Sequence, residues 1–357
     1  MDEEESSIWA INVIIIIFII YVIWYFIWFS ISKGWECSTM ERLYGKSNGK
    51  IQSMSNTEYN LRDYYIKSAY NCCNGGTYKN DYVSLCSLKS IIKQGARCLD
   101  FEVYSKDDKP VVASSSKDSI CFKETFNYIG FDDIMDVLKH NAFGSLQNCP
   151  NPKDPLVLHL RVKSGNVNMF NNFAKILEGY DSILLGKKYS FENQGKNLGE
   201  IPLSNMMGKI IIIVDRTNNA FLESSSFREY VNLTSNSIFM RSLHYHDIKY
   251  SPDTTELTEY NKKFMTLGMP DKGSSPGNPS GVVLRETGCQ FLCMRYQETD
   301  TYLQEMLEFF DLHGHAFVLK PERLRYKPVT VSEPKKQNKD LSYATKNIDG
   351  GFYNFNI

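Results

Sequence analysis

The sequence predicts an α/β protein whose soluble part is a TIM-type (β/α)8 barrel, preceded by one N-terminal transmembrane helix. Three observations support this prediction. The chain opens with a long, uncharged apolar run. Strand-like segments then alternate with helix-like segments through most of the remaining chain. Once the part that is not globular is set aside, about 290 residues remain, which is enough for one large domain or two ordinary ones.

The apolar run extends from Ile8 to Phe29 and contains no charged residue. At about 1.5 Å per residue, a helix of this length crosses a hydrocarbon core of about 30 Å. Its tryptophans lie toward the two ends, where amphipathic rings favour the membrane interface. A cleavable signal peptide has a basic start and a shorter apolar run, whereas this chain begins with MDEEE. We therefore predict that residues 1–32 form a membrane anchor.

The charges on either side of the run predict its orientation. No lysine or arginine precedes it, whereas Lys33, Arg42, Lys46 and Lys50 follow it. The positive-inside rule then places the C-terminal domain of this single-pass protein on the cytoplasmic side. A glycosylation sequon begins at Asn232, but single sequons occur often by chance and do not overturn the charge argument.

Composition divides the rest of the chain into a stalk, a domain and a tail. Residues 33–66 are polar and predict an irregular stalk. Residues 67–326 carry the alternating strands and helices, interrupted by a polar spacer at about 190–205. Residues 327–357 begin with a stretch rich in proline and lysine, which predicts a flexible tail. The last residues of the tail, GGFYNFNI, are a candidate docking segment.

The periodicity of the apolar residues predicts the individual elements. A helix is predicted where apolar residues recur every three or four positions, and a strand where they form a short run. The predicted helices are VSLCSLKSIIKQGA, FDDIMDVLKHNAF, VNMFNNFAKILEGY and TYLQEMLEFFDLHG. The predicted strands are RCLDFEVY, KPVVAS, PLVLHLRVKS, GKIIIIVDR and GCQFLCMRYQ, and HAFVLKPERLRY closes the domain. Two of the helices are predicted to end at Gly95 and Gly314.

Charge and cysteine content exclude some classes of protein. The net charge of −1 gives no case for binding nucleic acid. The nine cysteines are scattered, apart from the adjacent Cys72 and Cys73, and form no CxxC motif. We therefore predict free thiols in a reducing compartment, and we interpret Cys72 and Cys73 as ordinary buried thiols.

Two His-x-His pairs are candidates for a metal site. His244 and His246 are predicted to share a strand face, and His313 and His315 flank a glycine. Such pairs can bind zinc, but neither has a carboxylate or a third histidine at the spacing that a zinc site needs. We predict that neither pair holds a metal.

The pattern of polar residues on two predicted strands indicates a site, because parallel barrels carry their chemistry at the C-terminal ends of the strands. Asp100 and Glu102 are two residues apart, so they point the same way and could hold a metal. His159, Arg161 and Lys163 share one face of another strand. These three form either a basic pocket for a phosphate or lipid head group, or a solvated strand end that compensates the carboxylates.

These segments resemble the catalytic barrel of eukaryotic-type phosphoinositide-specific phospholipase C. The segments SAYNCCN, GARCLDFEVY, KPVVASSS and PLVLHLRVKS follow the order of the family's X half, at about 67–165. The segments MMGKIIIIVDR, TGCQFLCMRYQ and GHAFVLKPERLRY follow its Y half, at about 206–326. The family's accessory modules are not recognisable, and we expect the anchor to replace them as the membrane attachment.

The resemblance implies a mechanism that this sequence departs from. An inositol hydroxyl would attack the phosphodiester, calcium would lower the pKa of that hydroxyl, and two histidines would stabilise charge and protonate the leaving group. The position-by-position comparison places the two histidines on Tyr70 and Ser114, and the calcium ligands on Asn71, Asp100, Glu102 and Arg161. The family's phosphate-binding lysines fall near Ile213 and Asp215.

Each departure has a physical consequence. Tyrosine titrates near 10 and serine does not titrate usefully, so neither Tyr70 nor Ser114 exchanges a proton readily at neutral pH. Arg161 replaces a negative ligand by a permanent positive charge, which repels calcium. An arginine can instead pair with Asp100 or Glu102 in bidentate fashion. Our hypothesis is that the guanidinium occupies the place of the metal and holds the barrel mouth together.

Three classes of function remain open. The first is a membrane-anchored pseudoenzyme with a binding or structural role, and this is the class we predict. The second is an active phosphoric diester hydrolase rebuilt around Asp100, Glu102 and His159. The third is a glycerophosphodiesterase-like barrel, a class that usually needs an early histidine where this chain has Tyr70. We predict no cofactor, and calcium only if the chain is an active enzyme.

The predicted partners follow from the anchor and from the resemblance. They are the lipid membrane, phosphoinositide head groups, and other proteins of a membrane or a virion. The chain is rich in isoleucine, lysine, asparagine and tyrosine, as coding in an AT-rich genome would give. A large DNA virus as the source, with a virion membrane as the location, is a hypothesis from this composition.

Overall fold

The computed structural model describes residues 3–45, 49–119, 121–144, 148–190, 197–328, 334–336, 338 and 341–357. The chain divides into two compact units, Met1–Arg325 and Tyr326–Ile357. The first unit contains the N-terminal helix and the barrel, and the second contains the tail.

Strands and helices alternate along the first unit, as predicted. The helices are α1 (Glu3–Tyr44), α2 (Leu85–Lys93), α3 (Phe131–Val137), α4 (Val167–Glu178), α5 (Ser225–Arg228), α6 (Tyr245–Lys249), α7 (Thr254–Lys263), α8 (Gly281–Glu286) and α9 (Thr301–His313). The first six strands are β1 (Tyr64–Ala69), β2 (Cys98–Lys106), β3 (Lys109–Ala113), β4 (Ile129–Gly130), β5 (Leu156–Val162) and β6 (Ile210–Asp215). The next five are β7 (Leu233–Ser235), β8 (Met240–His244), β9 (Met265–Met269), β10 (Phe291–Met294) and β11 (Phe317–Leu319).

Eight parallel strands form a nearly closed barrel, which confirms the predicted fold class. Their spatial order is β7-β6-β5-β2-β1-β10-β9-β8, so the described ladders leave the ring open only between β7 and β8. Strands β3 and β4 extend β2 in antiparallel fashion, and β11 pairs antiparallel with β1. The predicted strand KPVVAS is therefore part of a hairpin on β2 and not a member of the ring.

Most barrel strands are buried on both faces, whereas β8 is only partly buried after Met240. Every residue of β1, β5 and β6 is buried, including the run of isoleucines in β6. Strands covered on both faces need such continuous apolar sequences, because helices cover the outside of a parallel barrel. Two of the predicted helix ends are also present: Gly95 follows α2 with φ 78°, and Gly314 follows α9 with φ 71°. Glycine adopts this left-handed conformation without steric cost.

Helix α1 contains the predicted membrane segment. Residues Trp9–Phe29 have a mean hydropathy of 2.7, and none of this segment is buried in the protein. Its length and composition suit a membrane span, and a signal sequence near an N-terminus has the same properties.

The prediction of an irregular stalk over residues 33–66 is wrong in its first part, because α1 continues to Tyr44. Met40 and Tyr44 are buried, and the Tyr44 hydroxyl donates to the carbonyl oxygen of Tyr296 at 2.5 Å. A disulfide between Cys37 and Cys86 joins this part of α1 to α2. Contacts with the barrel therefore keep a polar sequence helical, and the prediction of free thiols is wrong for these two cysteines.

The spacer and the tail differ from their predictions in detail. In the spacer, Leu198 and Leu203 lie in short 3-10 turns and are buried, whereas 191–196 lies outside the described residues. The tail contains an antiparallel pair of strands, β12 (Asn347–Asp349) and β13 (Asn354–Asn356), and all their residues are exposed. Strand β13 lies within the candidate docking segment, whose docking role stays a prediction.

Candidate functional site

The candidate site lies where β2 and β5 run side by side. In their parallel register, Asp100 pairs with His159 and Glu102 pairs with Arg161. Because side chains alternate along a strand, all four point to the same side of the sheet. All four are also buried. Two neighbouring strands thus bring two carboxylates, a histidine and an arginine into one layer of the barrel.

The Arg161 guanidinium donates to four side chains around it, and Asp118 is the most distant of them at 3.4 Å. Its Nε and Nη2 donate to the two carboxylate oxygens of Asp100 at 3.0 and 2.7 Å. Its Nη1 donates to Glu102 Oε1 at 2.7 Å, and its Nη2 also donates to Asn71 Oδ1 at 2.8 Å. The bidentate pairing expected from the sequence is present. The guanidinium lies among the three side chains that the resemblance assigns to calcium.

The two carboxylates have further hydrogen-bond partners besides Arg161. His159 Nδ1 lies 2.7 Å from Asp100 Oδ1. Glu102 Oε2 accepts from the Tyr104 hydroxyl at 2.8 Å and from the backbone N–H of Ser115 at 2.9 Å. Since protein donors already occupy these oxygens, the carboxylates act as acceptors in a buried hydrogen-bond network.

The network keeps Asp100 and Arg161 charged. Burial alone would raise the pKa of Asp100, but Arg161 and His159 hold that pKa well below its ordinary value. Burial alone would lower the pKa of Arg161, but Asp100 and its neighbours raise it well above the ordinary value. The arginine and the aspartate are therefore an ion pair at neutral pH.

We expect the fold to lose stability as the pH falls below about 4, the ordinary pKa of an aspartate. Because the pKa of Asp100 is depressed in the folded state, the unfolded chain binds more protons in this range. The stabilisation from Asp100 is fully present above its unfolded pKa and is lost as the pH falls toward the folded pKa. Urea unfolding of the chain at several pH values measures this loss. An Asp100→Asn variant with an equally steep loss would contradict the assignment to Asp100.

The two positions expected to hold histidines carry side chains that serve the packing. The Tyr70 ring lies 4.5 Å from the Arg161 guanidinium carbon in a cation–π contact, and it packs edge-on against Tyr78. Burial raises the pKa of Tyr70 well above its ordinary value. The Ser114 hydroxyl is buried, accepts from Asn74 Nδ2 at 2.9 Å and donates to the Tyr78 carbonyl at 3.2 Å. Tyr70 and Ser114 are thus held by contacts with Arg161, Asn74 and Tyr78.

A polar cavity of about 670 Å³ opens above this network at the barrel mouth. Arg161 and Lys163 border it, whereas His159 does not. His159 is fully buried, and its Nε2 lies 2.8 Å from the Ser235 hydroxyl. The prediction that His159 belongs to a head-group pocket is therefore wrong, because both ring nitrogens serve the interior network. The ionisable side chains that border the cavity include Asp118, Arg161, Lys163, Asp215, His244 and Lys272.

Asp118 is the residue at this mouth that sequence reasoning missed. Its carboxylate lies 3.0 Å from His244 Nε2 and 2.9 Å from Lys272 Nζ. It also lies 3.4 Å from Arg161 Nη1 and 3.8 Å from Lys163 Nζ. Burial would raise the pKa of Asp118, but His244 and these cations hold it well below its ordinary value. Asp118 follows β3 in a loop without regular periodicity, so no sequence signal pointed to it.

The remaining histidine candidates lie in separate places. His244 ends β8 and His246 lies in α6, so the predicted shared strand face is wrong. His244 Nδ1 lies 2.7 Å from the Pro270 carbonyl oxygen. His313 and His315 each face a backbone carbonyl, of Phe309 and Gln52 respectively.

The other sequence candidates are inside the fold. Cys72 and Cys73 are buried, and burial raises the pKa of both thiols. Ile213 is buried in β6, and Asp215 at its end accepts from the Thr217 N–H at 2.8 Å. The resemblance places phosphate-binding lysines near these two positions, and neither side chain can bind a phosphate.

Calcium does not fit the donor set of this site. A calcium ion prefers six to eight oxygen ligands, many of them carboxylates. Here the permanent positive charge of Arg161 lies among Asn71, Asp100 and Glu102 at hydrogen-bonding distance. Elsewhere in the described part of the chain, one cluster has metal-ligand spacing, and it consists of Glu41 and the disulfide-bonded Cys37 and Cys86.

Comparison with solved structures supports the fold. PLC21 of L. pealei and PLC21 of S. officinalis are each similar to this chain with a TM-score of 0.60 and 18% sequence identity over 76% of this chain. The matched part is 38% of each of those chains, so this chain corresponds to less than half of their length. A calcium-dependent phosphoinositol-specific phospholipase C from a Gram-negative bacterium, Pseudomonas sp., has a TM-score of 0.46 and 8% identity, covering 71% of this chain and 98% of that one.

Comparison of the amino-acid sequence with known families and proteins finds no match. No protein-family model matches the chain, and no curated protein sequence matches it. The family resemblance therefore depends on the barrel, its strand order and its likeness to the solved structures. This chain has the phospholipase C-like barrel fold that its sequence predicted.

Proposed function

We propose that this protein is a membrane-anchored, phospholipase C-like barrel that does not hydrolyse phosphodiesters and has a binding or structural role at a membrane. One observation carries the proposal. The Arg161 guanidinium lies among Asn71, Asp100 and Glu102, where the resemblance expects a metal ion. The guanidinium has no open coordination position, and its N–H groups already donate to Asp100, Glu102 and Asn71, so it does not bind an attacking hydroxyl as a coordinated metal does.

The loss of proton-transfer groups supports the same conclusion. A positioned general acid or base contributes about 10²–10⁴-fold to a rate. Tyr70 packs against Arg161, and Ser114 is hydrogen-bonded to an amide side chain and a backbone carbonyl. The rate contributions of the two expected histidines are therefore missing. The resulting barrel keeps the shape of an active site without the two histidines to which the resemblance assigns proton transfer.

The polar mouth supports a binding role. The cavity is bordered by charged and amide side chains, a lining that suits a polar or anionic ligand such as a phosphoinositide head group. The apolar segment of α1 supports an attachment of the barrel to a membrane. Other proteins of that membrane or of a virion remain candidate partners.

We further propose that the barrel lies on an oxidising side of its membrane. The positive charges after the apolar segment favour the cytoplasmic side, but the disulfide between Cys37 and Cys86 favours a compartment where disulfides persist. We give priority to the disulfide, because it is a covalent bond of the fold itself. The Asn232 sequon adds no argument, since Asn232 is buried and its Oδ1 accepts from the Ile212 N–H at 2.9 Å.

The proposal predicts no release of inositol phosphates from phosphatidylinositol vesicles. We expect the detergent-solubilised chain to match a protein-free blank both with calcium and with a chelator. We also expect calcium to leave its melting temperature unchanged, because an ion that binds the folded state would raise it. Calcium-dependent release of inositol phosphate would overturn the proposal.

An active hydrolase remains the second candidate, supported by one observation. His244 borders the cavity and pairs with Asp118 at 3.0 Å, as a general base and its orienting carboxylate would. A His244→Gln variant separates the two candidates. Metal-independent hydrolysis that disappears in this variant would establish the hydrolase, and its absence from the unmodified chain supports the non-catalytic barrel.

A further inference from the structure

Asp118 lies where an anionic ligand of the cavity would bind. Three cations surround its carboxylate, with Lys272 Nζ at 2.9 Å, Arg161 Nη1 at 3.4 Å and Lys163 Nζ at 3.8 Å. We call these three side chains the mouth cations. His244 Nε2 adds a fourth contact at 3.0 Å. A carboxylate among several converging donors is the arrangement by which proteins bind carboxylate or phosphate ligands.

The mouth cations differ in their dependence on Asp118. Arg161 also pairs with Asp100 and Glu102, so it keeps its charge partners without Asp118. Lys163 and Lys272 pair with no other carboxylate among the described residues. Removing the charge of Asp118 would therefore leave two lysines facing the cavity without a counter-charge.

The loop that carries Asp118 is held in place by hydrogen bonds that do not involve the Asp118 carboxylate. Before Asp118, the Ser115 N–H donates to Glu102 at 2.9 Å and the Ser116 N–H donates to Glu124 at 2.7 Å. At Asp118 itself, Lys163 Nζ also donates to the backbone oxygen at 2.6 Å. The side chain of Asp118 is still 30% exposed, so it can rotate toward solvent while the loop keeps these bonds.

One other carboxylate borders the cavity and does not contact the mouth cations. Asp215 Oδ1 accepts from the Thr217 N–H at 2.8 Å and from Asn236 Nδ2 at 2.9 Å. Those hydrogen bonds hold Asp215 at the end of β6. Asp118 is thus the carboxylate that neutralises the lysines of the mouth.

We propose that Asp118 is an internal anionic ligand that occupies a binding site for a phosphate group, and that its displacement opens this site. This inference rests on the proposed non-catalytic function and specifies its ligand class and its regulation. A phosphate monoester carries more negative charge than one carboxylate and has three strong acceptor oxygens. It can therefore satisfy both lysines and the arginine at once, which the two oxygens of Asp118 do less well. A lipid head group and a soluble phosphate compound share this chemistry, and the experiment below distinguishes them.

The test compares the affinity of the full chain for inorganic phosphate in neutral-lipid nanodiscs. We expect Asp118→Asn to bind phosphate at least about tenfold more tightly than the unmodified chain, because an internal competitor and a like charge are removed. Asp271→Asn is the matched control. It removes one nearby carboxylate that accepts from the His246 N–H at 2.7 Å, and we expect no gain in affinity.

Two further variants identify the site. Adding Lys163→Met or Lys272→Met to Asp118→Asn is expected to remove most of the gain, because each deletes one mouth cation. Phosphate is also expected to raise the melting temperature of Asp118→Asn more than that of the unmodified chain. An Asp118→Asn variant that folds, as judged by near-UV circular dichroism, yet binds no tighter than the unmodified chain would overturn the inference. An equal gain in Asp271→Asn would also overturn it, since the effect would then be general electrostatics.

Nanodiscs with a monophosphorylated phosphoinositide distinguish the two sources of phosphate. If the lipid head group occupies the site, these nanodiscs weaken the apparent binding of inorganic phosphate to Asp118→Asn. If the ligand is soluble, the affinity stays as it was in neutral lipid. Hydrolysis is measured on the same samples, so a failure of the proposed function appears as product release. A failure of this inference appears only as an unchanged affinity.

Discussion

The Arg161→Met variant is expected to lose about 3–5 kcal/mol of unfolding free energy, the usual cost of breaking a buried ion pair by removing one partner. Methionine is similar in length but has no donor and no charge. Asp100 and Glu102 would remain buried without their shared counter-charge. Asn71 Oδ1 would lose its guanidinium partner, and the Tyr70 ring would lose its cation–π contact. Each of these groups then carries an uncompensated desolvation cost.

Urea unfolding of the detergent-solubilised chain measures this loss. Arg323→Met is the matched control, because Arg323 pairs with Glu286 at 2.7 Å while both side chains are more than half exposed. An exposed pair contributes about 0–1 kcal/mol, so the control should stay close to the unmodified chain. A loss no larger than that of the control would show that Arg161 does not hold the mouth together.

A further variant separates the charge of the network from its shape. The triple variant Arg161→Met, Asp100→Asn and Glu102→Gln removes all three charges while keeping the size of the side chains. Replacing a whole buried ion cluster by neutral groups is often close to neutral in stability. We therefore expect the triple variant to regain part of the stability that Arg161→Met loses. A triple variant that is less stable than Arg161→Met would contradict the role of unpaired charge.

The Arg161 network was predictable because it depends on two regular features. The two-residue period of a strand places Asp100 with Glu102 and His159 with Arg161, and parallel pairing then sets the two strands side by side. The resemblance supplied the strand order. Those two rules alone bring opposite charges together, whatever the surrounding loops do.

Asp118 and the extended α1 were not predictable, because neither depends on local periodicity. Asp118 reaches the mouth through a loop, and its partner His244 is 126 positions away in sequence. Helix α1 continues past the apolar segment because the side chains of Met40 and Tyr44 are buried against the barrel. The prediction for His246 was wrong for a related reason: β8 ends at His244, two residues before His246, so the strand period does not reach it.

The difference between an arginine and a metal ion has a consequence for binding. A metal can dissociate, so a metal-built mouth changes with ionic conditions, whereas the charge of Arg161 is part of the chain. The charge at the centre of the network therefore does not depend on a metal concentration. This permanence suits a protein that binds or holds a structure, because metal-assisted catalysis would need an open coordination position.

The disulfide between Cys37 and Cys86 is expected to stabilise the fold by about 4 kcal/mol, as the chain-entropy relation gives for a closed loop of this size. The bond closes a loop with a sequence separation of 49 and joins α1 to α2. Without the bond, the unfolded chain between Cys37 and Cys86 has more conformational freedom, which favours unfolding. We expect Cys37→Ser and Cys86→Ser each to lower the unfolding free energy by this amount. Cys121→Ser, at an exposed free thiol, is the control and should have little effect.

Alkylation of the chain isolated from its native membrane tests whether the bond forms there. The chain has nine cysteines, of which seven are free in the structure. A maleimide that adds mass should therefore label seven cysteines in denaturant and nine after reduction. Nine labels without reduction would show that the barrel faces a reducing compartment, as the positive-inside rule predicts. Seven labels would place the barrel on an oxidising side, because a bond that closes a long loop and joins two packed helices persists only where thiols are not kept reduced.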